Sequence, residues 1–262
     1  MDEVKRVGFG EVFYSRQVAM KELGIEGQQK LAKSCVAVVG VGGLGTVSSL
    51  YLALSGVGHI RLIDKDVVEL HNLHRQILYS PEDIHCSKVD VAAKRLRKAN
   101  PLIKVEAISE EVHSDNIEQL LLGVDCVVDG LDNMPTRYIV NRTCVKNSIP
   151  YVFGAASGME GNLSVFTPPT TGCLECAMPN HQSTADDNKQ IQTHNTTRGV
   201  IGATPGIIGS LQAIETIKLL TNTATTLKNK LLICDFNDLD FTTINLTKNT
   251  QCPTCHNKST KK

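Results

Sequence analysis

Residues 35–45 read Cys-Val-Ala-Val-Val-Gly-Val-Gly-Gly-Leu-Gly. The first five residues are apolar and mostly β-branched, which is typical of a buried strand. The glycines that follow are Gly40, Gly42, Gly43 and Gly45. Residues 46–55 then have the pattern of a helix, so the stretch presents backbone N–H groups and the positive end of a helix dipole to a phosphate. It therefore predicts a nucleotide site, although dinucleotide dehydrogenases are the commonest proteins with this fingerprint.

Predicted strands and helices alternate from this stretch to residue 155. The strands are predicted at residues 35–39, 59–63, 105–108, 126–128 and 151–153. This alternation indicates an α/β fold with a doubly wound, mainly parallel, Rossmann-like sheet, whose ligand site lies beyond the carboxyl ends of the strands. Further strands are predicted at 162–166, 230–234 and 241–246, with a helix at 206–220, and we expect the late strands to be antiparallel.

The composition disfavours nucleic acid and membranes as partners. The 262 residues carry 27 Lys and Arg against 27 Asp and Glu, so no overall basic field suggests nucleic acid binding. No segment approaches the roughly 20 uninterrupted apolar residues of a membrane span. The charged N-terminus also has no pattern of a signal peptide. We therefore expect a cytoplasmic protein that acts neither on nucleic acid nor in a membrane.

Charged and amide side chains concentrate where the predicted strands end. Asp64 ends the second strand, at a position that commonly binds a ribose. Arg75 in the following loop and Lys88 at the start of the next helix are suited to clamp a triphosphate. Asp132, after the fourth strand, adds a carboxylate for magnesium. Each residue alone is typical of a solvated loop, but the set fits phosphate-chain chemistry and is not needed for hydride transfer.

Nine cysteines in a chain without a secretion signal argue against a disulfide framework. Four of them form two C-x-x-C pairs, Cys173 with Cys176 and Cys252 with Cys255. Two such pairs complete a tetrahedral zinc site with no open position for catalysis. The spacing alone favours one shared site and leaves redox pairs or unrelated thiols as alternatives.

Together these features resemble the ubiquitin-activating superfamily. They are most similar to its prokaryotic branch that activates sulfur-carrier proteins, the MoeB/ThiF/HesA-type adenylyltransferases of molybdopterin and thiamine biosynthesis. The resemblance runs from about residue 13 to residue 255. It is carried by Tyr14-Ser15-Arg16-Gln17, residues 40–45, residues 64–76, Lys88, Asp132-Asn133, residues 154–161, residues 206–213 and both cysteine pairs.

The resemblance implies an ATP-dependent adenylyltransferase. In that reaction the C-terminal Gly-Gly carboxylate of a ubiquitin-like sulfur carrier attacks the α-phosphate of ATP and gives an acyl-adenylate and pyrophosphate. Asp64 is then expected at the ribose, Asn72, Arg75 and Lys88 at the phosphates, and Asp132 at Mg²⁺. The residues expected to contact the nucleotide are Gly40, Gly42, Gly43, Gly45, Asp64, Asp66, Asn72, Arg75, Gln76, Lys88, Asp132 and Asn133.

The same resemblance implies a homodimer and a structural zinc ion. In this family the arginine of the Ser-Arg-Gln motif reaches into the neighbouring subunit's site, so Arg16 is expected to act in trans as a catalytic cation. Without the resemblance, Arg16 would be interpreted as a surface arginine. Zinc is expected at Cys173, Cys176, Cys252 and Cys255, where it would attach the C-terminal segment to the body.

The chain is expected to form one continuous domain in three parts. These are an N-terminal helical segment (1–34), a nucleotide-binding part (35–155) and a partner-binding and zinc part (156–262) with a mobile crossover loop near 178–198. Many relatives carry a cysteine in that loop, near the positions of Asn195 and Thr196 here. This loop has none, so we expect adenylation without a covalent loop intermediate.

Other functions stay open at this stage. Adenylation of a peptide or of another carboxylate, such as one on tRNA, would use the same site, although the neutral net charge disfavours tRNA. A non-catalytic scaffold subunit of a heterodimeric activating enzyme is disfavoured because the charged residues of the site are all present. An NAD-dependent dehydrogenase is disfavoured further, since nothing resembles a hydride-transfer site.

Overall fold

The computed structural model describes residues 3–179 and 199–256. An eight-stranded sheet with the order β3-β2-β1-β4-β5-β6-β7-β8 forms its centre. The strands are β1 (Cys35–Val39), β2 (His59–Ile63), β3 (Lys104–Ile108), β4 (Cys126–Asp129), β5 (Tyr151–Ser157), β6 (Glu160–Phe166), β7 (Lys230–Asp235) and β8 (Asp240–Asn245). The predicted doubly wound α/β fold is confirmed.

Helices precede the sheet and connect its strands. They are α1 (Glu3–Phe13), α2 (Ser15–Val18), α3 (Gly24–Lys33), α4 (Gly43–Leu54), α5 (Lys88–Ala99), α6 (Ile117–Leu120), α7 (Met134–Asn147), α8 (Leu174–Ala177) and α9 (Ala203–Thr221). The predicted N-terminal helical segment corresponds to α1, α2 and α3. The helix predicted at 46–55 begins three residues earlier, because Gly43 and Gly45 belong to the first turn of α4.

Strands β1 to β5 run parallel, and the winding of the chain reverses at β1. The chain passes outward from β1 through β2 to β3 and then returns to β4 on the other side of β1. The loops that leave β1 and β4 therefore diverge and leave a crevice, which is where doubly wound sheets bind ligands. Here the crevice is bounded by residues 40–45 and 130–133.

The second half of the sheet is antiparallel, as expected for the late strands. Strands β5, β6, β7 and β8 pair in sequence, each antiparallel to the one before it. All six residues of the edge strand β8 are exposed. This half extends the sheet beyond the crevice between β1 and β4.

Helices cover both faces of the parallel half. Val36 and Val38 of β1 pack in a core with residues of α4 and α5, whereas Ala37 and Val39 pack on the opposite face with residues of α6 and α7. All four side chains are fully buried. A strand covered on both faces needs apolar side chains at successive positions, which explains the continuous apolar run of β1.

Candidate active site

At the base of the crevice, the first residue after β1, Gly40, packs closely against the first residue after β4, Gly130. Gly40 has a φ of 88°, in the left-handed region that favours glycine. A Cβ atom on Gly130 would overlap the carbonyl group of Gly40, and so would a Cβ atom on Gly45. These glycines therefore allow the β4 loop and the first turn of α4 to approach the backbone of Gly40.

Helix α4 begins directly after this loop, with its amino end open. Gly42 precedes the helix, and no side chain caps it. The first N–H groups of a helix have no intrahelical acceptor and carry a partial positive charge. In the 12-residue α4 they face the crevice, where they can bind an anion such as phosphate.

Asp64 fixes the glycine loop from the end of β2. Its Oδ2 accepts the N–H of Val41 at 2.7 Å, and its Oδ1 accepts the N–H of Asp66 at 2.9 Å. Burial raises the pKa of the Asp64 carboxyl, and these two N–H groups and Lys88 act in the opposite direction. The hydroxyl of Tyr79, which sequence reasoning missed, donates to the carbonyl of Val41 at 2.8 Å. The loop is therefore held from two sides.

Lys88 is a buried cation that pairs with the carboxylate of Asp66, two residues after Asp64. Its side chain is 7% exposed, and its Nζ lies 2.8 Å from Oδ2 of Asp66, whose side chain is 53% exposed. A buried ammonium group needs a partner, because desolvation of an unpaired charge is costly. The ion pair fixes Lys88 at the start of α5, next to the loop that Asp64 holds.

Arg75 and Gln76 lie over the glycine loop. A Cβ atom on Gly43 would be 3.7 Å from Cγ of Arg75, and a Cβ atom on Gly42 would be 3.6 Å from Nε2 of Gln76. Oε1 of the buried Gln76 has no hydrogen-bond partner within the described ranges. An unpaired buried polar atom costs about 1–3 kcal/mol, so a polar ligand group is a natural partner for it.

A short 3₁₀ turn at Leu70–Asn72 directly precedes this segment. Asn72 is buried, and its Oδ1 accepts the N–H of Glu69 at 3.1 Å. The guanidinium group of Arg75 donates to the carbonyl of His71 at 2.8 Å. These bonds order the segment that carries two of the residues predicted to hold phosphate.

Asp132 and Asn133 are exposed in the loop between β4 and α7. Oδ1 of Asn133 accepts the N–H of Thr136 at 3.0 Å, which caps α7 and typically stabilises a helix by about 1 kcal/mol. Nδ2 of Asn133 lies 3.3 Å from Oδ1 of Asp132. The contact between Gly40 and Gly130 brings this loop to the crevice. Asn133 thus has a structural role in addition to its predicted contact with ATP.

Residues 14–254 match the family model described as ThiF family. The chain belongs to the ThiF family. The predicted superfamily is therefore confirmed over the same stretch that carries the motifs.

Similar proteins agree with this membership. The chain is 41% identical over 243 residues to adenylyltransferase and sulfurtransferase MOCS3 of Culex quinquefasciatus, covering 92% of the chain and 54% of that protein. It is 37% identical over 254 residues to sulfur carrier protein adenylyltransferase of Thermus thermophilus, covering 95% and 92%. A crystal structure of E. coli MccB with ATP has a TM-score of 0.83 at 25% identity, covering 94% and 75%. The chain thus spans about half of the first relative and nearly all of the second.

A buried ion pair supports the β4–α7 loop of this ThiF-family chain, and sequence reasoning missed it. Nε of Arg137 lies 2.9 Å from Oδ2 of Asp129, which also accepts the hydroxyl of Tyr151 at 2.8 Å. Arg137 further donates to the carbonyls of Leu131 and Gly154 at 2.6 and 2.8 Å. Burial raises the pKa of Asp129, and Arg137 acts in the opposite direction. The network anchors both ends of the segment that carries Asp132.

Arg16 is not among the side chains that meet at the crevice. It is exposed in α2, and the side chain of its neighbour Gln17 donates to the carbonyl of Ser55 at 2.8 Å. Ser55 directly follows the carboxyl end of α4, whereas the crevice lies at the amino end. Because a helix of 12 residues is about 18 Å long, Arg16 lies roughly one helix length from Gly43 of its own chain.

The four cysteines of the two C-x-x-C pairs meet in one cluster, whose Sγ atoms all lie within 4.8 Å of one another. Cys173 lies 3.6 Å from Cys252, and Cys176 lies 3.4 Å from Cys255. Burial raises the pKa of the Cys173 thiol to about 12, and the adjacent Asn141 side chain acts in the opposite direction. The two distant pairs therefore form one group, as one shared site requires.

Most of the loop predicted at 178–198 lies outside the described residues, including Asn195 and Thr196. The sequence itself has no cysteine between Cys176 and Cys234. Among residues 3–179 and 199–256, none of the helices combines the length and the hydropathy needed to cross a bilayer.

Proposed function

We propose that this chain activates the C-terminal Gly-Gly carboxylate of a ubiquitin-like sulfur carrier by ATP-dependent adenylylation. The observation that carries the proposal is the crevice between β1 and β4. Its loops carry the glycines, the open amino end of α4 and the exposed Asp132, with Arg75 next to Gly43, and Lys88 pairs with Asp66 in the loop that follows Asp64. Family membership supports the reaction class, and the name of the Thermus relative supports the substrate class.

In this reaction a carboxylate oxygen of the carrier attacks the α-phosphorus of ATP. The bond from that phosphorus to the oxygen bridging it to the β-phosphate breaks, and pyrophosphate leaves with the electron pair. Both reactants are anions, so Arg75, Lys88 and the amino end of α4 would lower the barrier by offsetting their charge. Asp64 would orient the ribose, and Asn72 would contact the phosphates.

Asp132 is the proposed ligand for magnesium. Hard divalent cations prefer oxygen ligands, and Mg²⁺ commonly binds one or two carboxylates together with phosphate oxygens. The exposed carboxylate of Asp132, next to the phosphate-binding elements, fits that ligand set. When bound, the ion would neutralise charge on the phosphate chain.

We assign a structural zinc ion to the four-cysteine cluster. Tetrahedral zinc with Zn–S bonds of about 2.3 Å places its sulfur ligands roughly 3.8 Å apart. The observed Sγ–Sγ distances, 3.6 Å between Cys173 and Cys252 and 3.4 Å between Cys176 and Cys255, fit that geometry. The ion would tie residues 252–255 to α8. Because the crossover loop has no cysteine, we infer that the reaction ends at the adenylate or its transfer to a separate acceptor.

The proposal predicts pyrophosphate–ATP exchange that depends on a Gly-Gly tail. The full-length protein is mixed with ATP, Mg²⁺, labelled pyrophosphate and sulfur carriers of the ThiS or molybdopterin-synthase type. We expect exchange with one intact carrier, and none when the same carrier lacks its two terminal glycines. Exchange with a free Gly-Gly peptide alone would favour a peptide substrate. No exchange with any carrier would refute the proposed activity.

We further propose a homodimer in which Arg16 completes the partner's crevice. The distance between Arg16 and Gly43 within one chain supports this proposal. Arg16→Ala and Asp132→Asn homodimers are each expected to be inactive. After subunit exchange they should recover about a quarter of the wild-type exchange rate, because half of the dimers are mixed and each mixed dimer has one intact site. No recovery, despite mixed dimers seen by mass spectrometry, would refute action in trans.

A further inference from the structure

One face of α7 contacts the segment that contains the first cysteine pair, Cys173 and Cys176. Tyr138, Asn141, Arg142 and Val145 follow the spacing i, i+3, i+4 and i+7, which places them on one side of a helix. The hydroxyl of Tyr138 donates to the carbonyl of Met178 at 3.2 Å. Val145 packs in one buried cluster with cysteines of both pairs. Helix α7 therefore lies directly against the four-cysteine cluster.

Asn141 makes the most specific of these contacts. Its Oδ1 accepts the N–H of Leu174, the residue after Cys173, at 2.9 Å. The residue is 1% exposed, so water does not compete for its amide. This bond fixes the backbone at the point where the Cys173 side chain leaves it.

The other half of the same amide is unpaired. Nδ2 of Asn141 is buried and has no hydrogen-bond partner in the part of the chain that the structure describes. Leaving a buried donor unpaired costs about 1–3 kcal/mol, so such a group points to an acceptor that is supplied at the site. The adjacent acceptor is the sulfur of Cys173, and its acceptor strength rises when it becomes a metal-bound thiolate.

A neighbouring contact offsets negative charge at the same place. Four thiolates around a divalent ion leave a net negative charge, and the side chain of Glu175, between Cys173 and Cys176, is 2% exposed. Nε of Arg142 lies 2.8 Å from Oε1 of Glu175. The backbone N–H of Asn249 also donates to Sγ of Cys176 at 3.4 Å. The Asn249 N–H and the Arg142–Glu175 ion pair therefore offset part of the negative charge that four metal-bound thiolates would bring.

We propose that Asn141 is a positioning residue of the four-cysteine metal site: it fixes Cys173 through Leu174 and donates an N–H···S hydrogen bond to the metal-bound Cys173 thiolate. This inference rests on the proposed zinc ion and is independent of the proposed adenylylation. Groups that orient metal ligands commonly change metal affinity by about 10- to 100-fold when they are removed. Helix α7 would thus be part of the metal site although it contributes no ligand.

The substitution Asn141→Asp tests the donor of the Asn141 amide separately from its acceptor. Aspartate keeps the acceptor for Leu174 and replaces the donor with a negative oxygen that faces sulfur. We expect about one zinc ion per wild-type chain, and about 10- to 100-fold faster release of zinc from Asn141→Asp to 4-(2-pyridylazo)resorcinol. In cobalt-substituted protein, loss of the hydrogen bond should move the thiolate-to-cobalt charge-transfer band to lower energy.

Asn147→Asp is the matched control. It makes the same substitution at an exposed position of the same helix, where Nδ2 of Asn147 donates to the carbonyl of Thr143 at 3.1 Å. It should release zinc at the wild-type rate. Asn141→Ser, which reaches neither partner, carries the same expectation as Asn141→Asp if the latter does not fold.

The possible outcomes distinguish the role of Asn141 from the zinc assignment on which it depends. A wild-type chain that holds no zinc refutes the metal assignment and this inference with it. Zinc present, but released from the Asn141 variants at the wild-type rate with an unmoved cobalt band, refutes the role of Asn141 alone. Failure of pyrophosphate exchange leaves the zinc measurements, and hence this test, unaffected.

Discussion

Replacing Asp132 with asparagine is expected to lower pyrophosphate–ATP exchange by about 100- to 1,000-fold, the range measured when one preorganised electrostatic contact to a transition state is removed. Asparagine keeps the shape of the side chain but removes the charge that would hold magnesium against the phosphates. Asp132 is exposed, and its carboxylate accepts a hydrogen bond from its neighbour Asn133, so the free energy of unfolding should stay within about 0.5 kcal/mol of wild type.

The measurement is the initial rate of exchange at saturating ATP, with the thermal unfolding midpoint recorded on the same samples. Asp115→Asn is the matched control, since Asp115 has a side chain that is 90% exposed and lies before α6, away from residues 130–133. It should exchange at the wild-type rate. Wild-type exchange by Asp132→Asn would remove this residue from the magnesium assignment while leaving the proposed reaction intact.

The location of the crevice could be predicted from the sequence because strand ends are local features. Asp64 and Asp132 each follow an apolar run, and parallel strands bring such ends to one edge of the sheet. The meeting of the four cysteines could be predicted for a different reason, since two C-x-x-C pairs supply the four ligands of one shared metal site. In both cases the feature can be recognised in short stretches of adjacent residues.

What could not be predicted depends on side chains that meet across separate elements. Asp129 directly follows the predicted strand 126–128 and Arg137 lies eight residues further on, so nothing in the sequence indicates that they pair. Their pairing requires β4, β5 and α7 to be placed first, because Arg137 also reaches the carbonyl of Gly154. The amide of Asn141 is similar, since its partner Leu174 is 33 residues away.

The buried pair itself leads to the largest expected effect on stability. Arg137→Met is expected to lower the free energy of unfolding by about 3–5 kcal/mol, the cost of leaving one member of a buried ion pair without its partner. The methionine would retain much of the side-chain volume but leave the buried carboxylate of Asp129 without its cation and two carbonyls without their donor. For a chain of this size the thermal midpoint should fall by roughly 10 °C.

Controls separate this effect from a general disturbance of α7. Lys146 lies on the same helix as Arg137 and forms an exposed ion pair with Glu118 of α6. Such a pair is worth about 0–1 kcal/mol, so Lys146→Met should leave the midpoint nearly unchanged. Adding Asp129→Asn to Arg137→Met should restore part of the loss, because it removes the uncompensated charge. Equal midpoints for Arg137→Met and Lys146→Met would contradict the structural role given to the pair.

If the pair does anchor the β4–α7 loop, Arg137→Met should also weaken ATP binding at temperatures where the variant is still folded, because Asp132 is carried on that loop.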